Sequence, residues 1–455
     1  MITRQGRYTT ATIMTDDVEE SALEQIDKMT NHRVFTNPIV VMPDVDDGVG
    51  SVIGFTMKLT KRVVPNVIGV DIGCGVLCMP IEEGLEQSSY TQLDDIIREY
   101  IPFGQKVHTT PRSIYEDLWA DVKMIAKMFA KSYEKEFDKN IEEYIPDYGV
   151  NWFMKKCRQV GIAYDYAISS IGTLGGGNHF IEIGKSRERN DKRQWLTIHS
   201  GSRNFGYKIA KYWQDIAHEK LNNIDKASFN ERLAAIKLNT PNKRQLPVKI
   251  EQLRKELGLI VETPHKELEY LEDTEDVAGY LFDMIFAQQY AKMNREEMAD
   301  IIQRQTSLVL DWEHAIDSIH NYIDFEDMII RKGAIRSWGR RKMVIPLNMK
   351  SGTLVCVGKS NKSWNDSAPH GAGRVMSRSE ARKKLDVDEF KDKMRLVFST
   401  SVNENTIDES PMAYKRQSFI REAIEPTATI SVTIRPLMNL KDNGDNGRER
   451  NERKT

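Results

Sequence analysis

The chain has 455 residues and a formal net charge of −2, and 40% of its residues are hydrophobic. This length suffices for a full-sized core, and the charge excludes a global polycation, so any nucleic-acid site must be a local basic patch. The absence of an apolar run of about 20 residues argues against a membrane span. With no apolar signal-peptide core at the N-terminus and only four scattered cysteines, the sequence predicts a cytoplasmic protein.

Near the N-terminus, the sequence predicts strands followed by an unusual pairing of an acid with a thiol. Residues 38–56 are predicted to form strands broken by acidic, glycine-rich turns. The apolar run 63–79 predicts a buried strand, and Asp71 and Cys74 lie among glycines within this run. A buried carboxylate needs a partner or a metal, and with a thiolate it forms a plausible pair of transition-metal ligands. The alternative is that Cys74 is a small core residue, as we expect for Cys78.

Helices predicted at 91–101 and 113–160 lead to two motifs that contain histidine. Three consecutive glycines precede Asn178 and His179, so the backbone there could wrap around a phosphate or a metal ion. His199 ends an apolar strand and precedes a polar turn, which is a reasonable place for a ligand. In both motifs the alternative is an ordinary turn with a hydrogen-bonded histidine.

Residues 206–305 form a charge-rich helical region, which we interpret as a helical insertion or arm. Its centre, 220–275, is rich in lysine and glutamate and contains three prolines. His218 and His265 lie in this region and are expected to be solvated.

A further helix is predicted over 309–327. His314 and His320 would lie on different sides of that helix, so only one of them could face a common site. We favour His320 because an asparagine adjoins it, as one adjoins His179.

A basic segment and a turn that contains histidine and arginine complete the candidate motifs. The segments 331–336 and 339–342 are interpreted either as solvated turns or as a contact to a nucleic-acid backbone. His370 follows a proline and precedes two glycines and Arg374. A histidine on such a turn, beside a fork of guanidinium donors, is well placed to meet a phosphoryl group. The alternative is a surface turn with an incidental histidine.

Taken together, one thiolate, one carboxylate and three imidazoles would be enough to hold two borderline-soft metal ions if the thiolate bridges them. Mn²⁺, Zn²⁺, Fe²⁺ and Co²⁺ all remain possible from the ligand types. A fourth histidine near such ions would be kept neutral, and neutral imidazole is a nucleophile. His370 could therefore attack a phosphoryl centre whose charge is offset by metals and arginines.

Together these motifs resemble those of the RtcB family of RNA-splicing ligases. The matching segments are D-I-G-C-G (71–75), G-G-G-N-H-F-I-E (175–182), H-S-G-S-R (199–203), A-Q-Q-Y-A-K-M-N-R (287–295), H-N-Y (320–322), H-G-A-G-R-V-M-S-R (370–378), A-Y-K (413–415) and Lys441. The resemblance implies an α/β (mixed α+β) fold with a single large catalytic domain over 1–441, in which 206–305 is the helical insertion. The tail 442–455 is expected to be disordered.

The resemblance also implies roles for individual residues. His370 would be the nucleophile that takes GMP from GTP. The implied ligands of two Mn²⁺ ions, with Cys74 bridging, are Asp71, Cys74, His179, His199 and His320. The residues implied to bind the guanylate are Asn178, Glu182, Asn321, Arg374, Tyr414 and Lys441. Arg203 is a further candidate for contacts to RNA phosphates or the guanylate.

The implied reaction joins an RNA 3′-phosphate or 2′,3′-cyclic phosphate end to a 5′-hydroxyl end, in RNA repair or tRNA splicing, with an activating protein as a possible partner. The segment 346–353 departs from the family's usual loop, which indicates a divergent branch and a narrower RNA substrate. Two alternatives remain open at this point. One is a metal-dependent phosphohydrolase or cyclic phosphodiesterase that opens RNA ends without sealing them, and the other is a non-catalytic RNA-binding protein that uses 331–342.

Overall fold

The computed structural model describes residues 1–82, 85–86, 89–221, 226–240, 245–256 and 266–444. The strands are β1 (Ile2–Gln5), β2 (Thr10–Ile13), β3 (Ile39–Asp46), β4 (Ile53–Lys58), β5 (Gly75–Ile81), β6 (Phe180–Ser186), β7 (Gln194–Ser200), β8 (Ile316–Ile319), β9 (Asn321–Ile323), β10 (Ile329–Lys332), β11 (Ala334–Arg336), β12 (Lys342–Asn348), β13 (Gly352–Gly358), β14 (Ser367–Pro369) and β15 (Ala428–Leu440). The helices are α1 (Glu20–Thr30), α2 (Tyr90–Tyr100), α3 (Glu116–Phe137), α4 (Val150–Val160), α5 (Tyr164–Ser169), α6 (Arg203–Leu221), α7 (Lys226–Leu238), α8 (Leu246–Glu256), α9 (Thr274–Gln305), α10 (Arg378–Lys384), α11 (Val387–Met394) and α12 (Gln417–Ala423). The predicted mixed α/β class is confirmed.

Two large sheets organise these elements. One has the order β1-β2-β3-β4-β10-β9; its β2–β3 pair is parallel and its other pairs are antiparallel. The other has the order β12-β13-β15-β6-β7-β5-β8, and every pair in it is antiparallel. Strands β11 and β14 form a small third sheet. The motifs around Cys74, His179, His199, His320 and His370 all lie at or beside the ends of strands in these sheets.

Helix α9 runs through both main hydrophobic clusters. Its residues from Val277 to Met293 pack in the cluster that also contains Phe55 of the six-stranded sheet, and those from Met298 to Ile302 pack under the seven-stranded sheet. Helix α6 buries Phe205, Ile209 and Trp213 in the first of these clusters. The apolar faces of α6 and α9 therefore contribute to the core, and the interpretation of 206–305 as an insertion or arm stays a prediction. Helices α7 and α8 pack against each other, and the domain boundaries stay a prediction.

Two local predictions need correction. The run 63–79 is not one strand, because β5 begins only at Gly75 and a short 3-10 turn at Pro65–Val67 precedes it. The segment 309–327 is not a helix, since it contains a 3-10 turn (Trp312–His314) and the strands β8 and β9. Apolar side chains in a short buried strand fit a helical pattern equally well, and edge pairing with β5 decided the outcome.

The remaining predictions on the periphery have mixed outcomes. The ring of His218 pairs with the carboxylate of Glu269 (2.6 Å) and is only half-exposed, so it is not simply solvated. His265 and the tail segment 445–455 lie outside the described residues. Across the described ranges, none of the helices combines the length and the apolar character that crossing a bilayer requires.

Candidate active site

The loop that carries Asp71 and Cys74 is held against helix α9 and strand β9. Gly73 has φ = 71°, and a Cβ there would lie 2.8 Å from a side chain of α9, so the helix can approach only because this residue is glycine. The N–H of Gly73 donates to the carbonyl oxygen of Asn321 (2.8 Å). Its own carbonyl accepts a hydrogen bond from Nη1 of Arg295 (2.8 Å). Both ligand candidates therefore have a backbone fixed by long-range contacts.

Arg295 ties this loop to two strands of the seven-stranded sheet. The side chain is fully buried, and its Nη1 also donates to the carbonyl of Ser200 at the end of β7 (3.0 Å). Its Nε and Nη2 form a bidentate pair with Asp317 of β8, both at 2.7 Å. The planar fork of a guanidinium suits this arrangement, in which one side chain satisfies two carbonyls and one carboxylate. Arg295 is thus a positioning residue for the site.

The three histidines come from adjacent strands. His199 is in β7, which lies between β5 and β6. His179 precedes β6, and its Nδ1 donates to the carbonyl of Leu174 (2.8 Å), which leaves Nε2 free for another ligand. His320 lies between β8 and β9, and its backbone N–H donates to the carbonyl of Cys74 (2.9 Å). The order of the sheet therefore brings together motifs that are distant in sequence.

The five predicted metal ligands converge. The Sγ atom of Cys74 lies 3.2 Å from Nε2 of His199 and 3.5 Å from Nε2 of His179. Nε2 of His199 lies 3.2 Å from Nε2 of His320, and Nε2 of His179 lies 3.2 Å from Oδ2 of Asp71. These contacts form two groups of possible ligands, one with two histidines and one with an acid and a histidine, and Cys74 belongs to both.

The donor set fits a pair of bound cations. Metal–donor bonds of about 2.1 Å around a tetrahedral ion would place neighbouring donors roughly 3.4 Å apart, close to the observed separations. Burial, together with neighbouring positive groups, lowers the pKa of both His199 and His320 well below its ordinary value, so their rings are neutral and able to bind metal. Burial and the nearby Asp71 raise the pKa of the Cys74 thiol, and coordination to a cation would reverse that effect.

His370 lies beside this group and is held by a buried acid. Its ring centroid is 4.9 Å from that of His320. Oδ2 of Asp44, on β3, accepts hydrogen bonds from Nδ1 of His370 (2.7 Å), from its backbone N–H (3.1 Å) and from the N–H of Gly371 (3.3 Å). With Nδ1 occupied, Nε2 is the ring nitrogen available for chemistry. Sequence reasoning missed Asp44, because the acids of the 38–56 segment were assigned to turns between strands.

A cavity of about 200 Å³ joins His370 to the predicted nucleotide residues. Those that line it are Asn178, Glu182, Arg374, Tyr414 and Lys441. Asn321 is not among the lining residues; its side-chain oxygen accepts from the N–H of Gly333 (3.0 Å). Arg203 does not line the cavity either. Its guanidinium donates hydrogen bonds within the protein, to Thr173 (3.0 Å) and to the carbonyl of Gly104 (2.8 Å).

The far side of the cavity carries a charged network centred on Glu409, a residue that sequence reasoning missed. Glu409 accepts from the hydroxyl of Tyr414 (2.8 Å) and pairs with Lys441 (3.1 Å) and with Arg378. Burial alone would raise the pKa of Glu409, but Lys441 and Arg378 outweigh it and lower that pKa to about 2. Lys441 also donates to the carbonyl of His179 (3.1 Å), so this network is linked to a metal-ligand candidate.

The segment 346–353, whose sequence differs from the family's usual loop, forms the hairpin between β12 and β13. Pro346, Leu347, Asn348, Met349 and Gly352 all line the cavity. The hairpin therefore supplies one wall of the site, although its sequence differs from the pattern expected of the family.

Most of the predicted basic patch, 331–336 and 339–342, is buried or half-buried and not exposed at the surface. Arg331 is fully buried and pairs with Asp324 (2.9 Å) and Asp327 (2.7 Å), and Lys332 is buried against backbone carbonyls. Arg336 is half-buried and pairs with Glu326 (2.9 Å). The prediction that 331–336 contacts nucleic acid is therefore wrong, because β10 and β11 turn these cations inward. Only the 339–342 segment is exposed.

Comparisons with known proteins agree with this geometry. A family model described as tRNA-splicing ligase RtcB matches residues 25–247 and 246–442. RNA-splicing ligase RtcB of Escherichia coli K12 is 27% identical over 448 residues, which cover 93% of this chain and 95% of that protein. The tRNA-splicing ligase RtcB of Nanoarchaeum equitans is 24% identical over 482 residues, with coverage of 89% and 88%. Because the family model spans nearly the whole chain, this protein belongs to the RtcB family.

Proposed function

We propose that this chain is an RNA ligase that joins an RNA 3′-phosphate, or a 2′,3′-cyclic phosphate after its opening, to a 5′-hydroxyl end. GTP and two Mn²⁺ ions are the proposed cofactors. The relatives named as RNA-splicing and tRNA-splicing ligases support the reaction class. The possible metal-ligand groups around Cys74 support the use of metal. An activating protein, a cytoplasmic location and a narrow natural RNA substrate remain predictions from the sequence.

The observation that carries the proposal is the placement of His370. Its Nδ1 is committed to Asp44 at 2.7 Å, its ring lies 4.9 Å from that of His320, and it lines the same cavity as Glu182 and Lys441. A histidine with one nitrogen held and the other available, between a group of possible metal ligands and a cavity, has the arrangement that nucleophilic catalysis needs.

The proposed reaction has three steps. First, Nε2 of His370 attacks the α-phosphorus of GTP; a P–N bond forms and pyrophosphate leaves. Next, an oxygen of the RNA 3′-phosphate attacks the phosphorus of the histidine-bound GMP, and the P–N bond breaks. Finally, the 5′-hydroxyl oxygen attacks the 3′-phosphate phosphorus, loses its proton, and GMP leaves. A cyclic phosphate must first be opened by water.

Each group of residues has a proposed role in binding the cofactors or orienting His370. Asp71, Cys74, His179, His199 and His320 are proposed to hold the cations, which would offset phosphate charge when bound. Asn178, Glu182, Arg374, Tyr414 and Lys441 are proposed to bind the guanylate, and Asn321 to act through the backbone of the Gly73 loop. Asp44 would keep the ring of His370 oriented and its Nδ1 protonated.

The proposal can be tested with α-labelled GTP and Mn²⁺. We expect covalent label on the protein, and we expect none on His370→Ala. His314→Ala is the matched control, because His314 is exposed and pairs only with Asp311 among the described contacts; it should be labelled like the wild type. Label that persists in His370→Ala would overturn the proposed nucleophile. Adding RNA with a cyclic phosphate end and a 5′-hydroxyl partner strand should give a sealed product, which a phosphohydrolase would not form.

A further inference from the structure

Asn439 lines the cavity, and only one of the two polar groups of its side-chain amide has a hydrogen-bond partner among the described residues. Asn439 of β15 lies directly opposite Glu182 of β6, and its Nδ2 donates to Oε2 of Glu182 (2.8 Å). Asn439 is 1% exposed, and its Oδ1 accepts a hydrogen bond from no described residue. A buried acceptor without a donor destabilises the folded protein, because the acceptor has lost its hydrogen bonds to water. Both side chains line the cavity, so a ligand bound there could supply the missing donor.

The fold places this amide by an irregularity in the strand. Pro436 cannot donate a ladder hydrogen bond, and the register of β15 against β6 shifts between Pro436 and Met438. One extra residue in β15 resets the alternation of its side chains. The paired positions that follow are Met438 with Ile183 and Asn439 with Glu182. The bulge therefore aligns an asparagine, not an apolar neighbour, with the cavity-lining carboxyl group.

The second carboxylate oxygen of Glu182 is also weakly engaged. Its Oε1 has the hydroxyl of Thr353 at 3.5 Å, the outer limit of a hydrogen bond. Burial raises the pKa of Glu182 to about 8, although Asn439, Thr353 and Lys441 oppose that effect. Additional N–H donors from a ligand would stabilise the ionised carboxylate. Oε1 of Glu182 and Oδ1 of Asn439 are thus two incompletely used acceptors on paired residues that line the same cavity.

We propose that Asn439 is a base-selecting residue of this site: its Nδ2 holds Glu182, and its Oδ1 accepts a hydrogen bond from the exocyclic amino group of guanine. The inference rests on the proposed function and deepens it. Guanine carries an N–H and an amino group side by side on its Watson–Crick edge, so it can supply one donor to Glu182 and one to Asn439. Adenine presents a ring acceptor beside its amino group, so it would leave one buried acceptor facing another.

The test compares binding of GTP, inosine triphosphate and ATP, with Mn²⁺ present and with His370→Ala in every sample so that no covalent step intervenes. Inosine triphosphate is GTP without the exocyclic amino group. With Asn439 intact, GTP should bind roughly tenfold or more tightly than the other two nucleotides. Asn439→Leu should weaken GTP binding by roughly 10- to 100-fold and bring the ratio of GTP to inosine triphosphate affinities close to one.

Two further variants make the result decisive. Asn439→Val tests the same ratio with a side chain that suits a strand, in case the leucine variant does not fold. Asn140→Leu changes an exposed asparagine far from the cavity and should leave the ratio unchanged. If GTP binds but the ratio is the same with and without Asn439, the inference is overturned and the proposed function stands. If no sample binds GTP, both are overturned.

Discussion

The most informative substitution is Asp44→Asn, because it changes one charge without changing shape. Oδ2 of Asp44 accepts three hydrogen bonds, of which the 2.7 Å contact with Nδ1 of His370 involves the ring. Oδ1 is buried and accepts from no described residue. The new amide must therefore either bury an unpaired NH₂ group at the Oδ1 position or direct it at Nδ1 of His370. The second orientation would move the ring proton to Nε2 and block attack.

The expected magnitude follows from this geometry. A hydrogen bond to a charged group contributes about 1.5–3 kcal/mol, which corresponds to roughly a 10- to 150-fold loss of rate. Asp44 contacts His370 and Gly371, not the far side of the cavity. We therefore expect the loss in the rate of protein labelling, with the affinity for GTP changed by less than about threefold.

The assay is single-turnover transfer of α-labelled GMP to the protein, at Mn²⁺ saturation and over a range of GTP concentrations. Asp27→Asn is the control, because Asp27 is a half-buried acid that pairs with Arg4 and does not line the cavity; its rate should equal that of the wild type. A rate for Asp44→Asn within about threefold of the wild type at saturating GTP would refute the proposed role of this acid.

Three more predictions follow from the site and its supports. Cys74→Ser should weaken Mn²⁺ binding by at least about tenfold, measured by electron paramagnetic resonance of free Mn²⁺. Cys78→Ala, which changes a buried residue of β5 outside the candidate metal groups, should leave Mn²⁺ binding unchanged. Arg295→Met should lower the free energy of unfolding by roughly 3–5 kcal/mol in urea titrations, because it leaves Asp317 and two carbonyls without their partner. Glu182 binds a proton more tightly when folded, so its contribution to stability should be present below about pH 4.5 and be lost as the pH rises to about 8; thermal unfolding of Glu182→Gln should lack that slope.

Several features of the site could be predicted from the sequence because they are local. Histidines and a cysteine beside glycines, such as Cys74, His179 and His370, mark backbone that turns sharply or is approached closely, and the structure brings these side chains together. The structure places His320 beside His199, although the helix expected around His320 is a pair of strands.

Other features depend on partners that are far away in sequence. Asp44 is one of many acids in the chain, and only the packing of β3 against the turn at 370–371 gives it a role. Arg331 belongs to a basic run, and only the carboxylates of Asp324 and Asp327 show that it is a buried ion pair and not a surface for RNA. The charge of a side chain shows which kinds of interaction it can make, whereas its burial in the folded protein decides which partner it binds.

The sequence by itself determined the mixed α/β class, the residue types of the candidate metal and nucleotide motifs, and the absence of a global positive charge, since each follows from composition or short-range pattern. Only the tertiary structure decided that α9 is a core helix, that residues from separate strands and loops form two groups of possible metal ligands that share Cys74, and that a bulge in β15 pairs Asn439 with Glu182. The physical reason is that strand order, register and burial are collective properties of the folded chain.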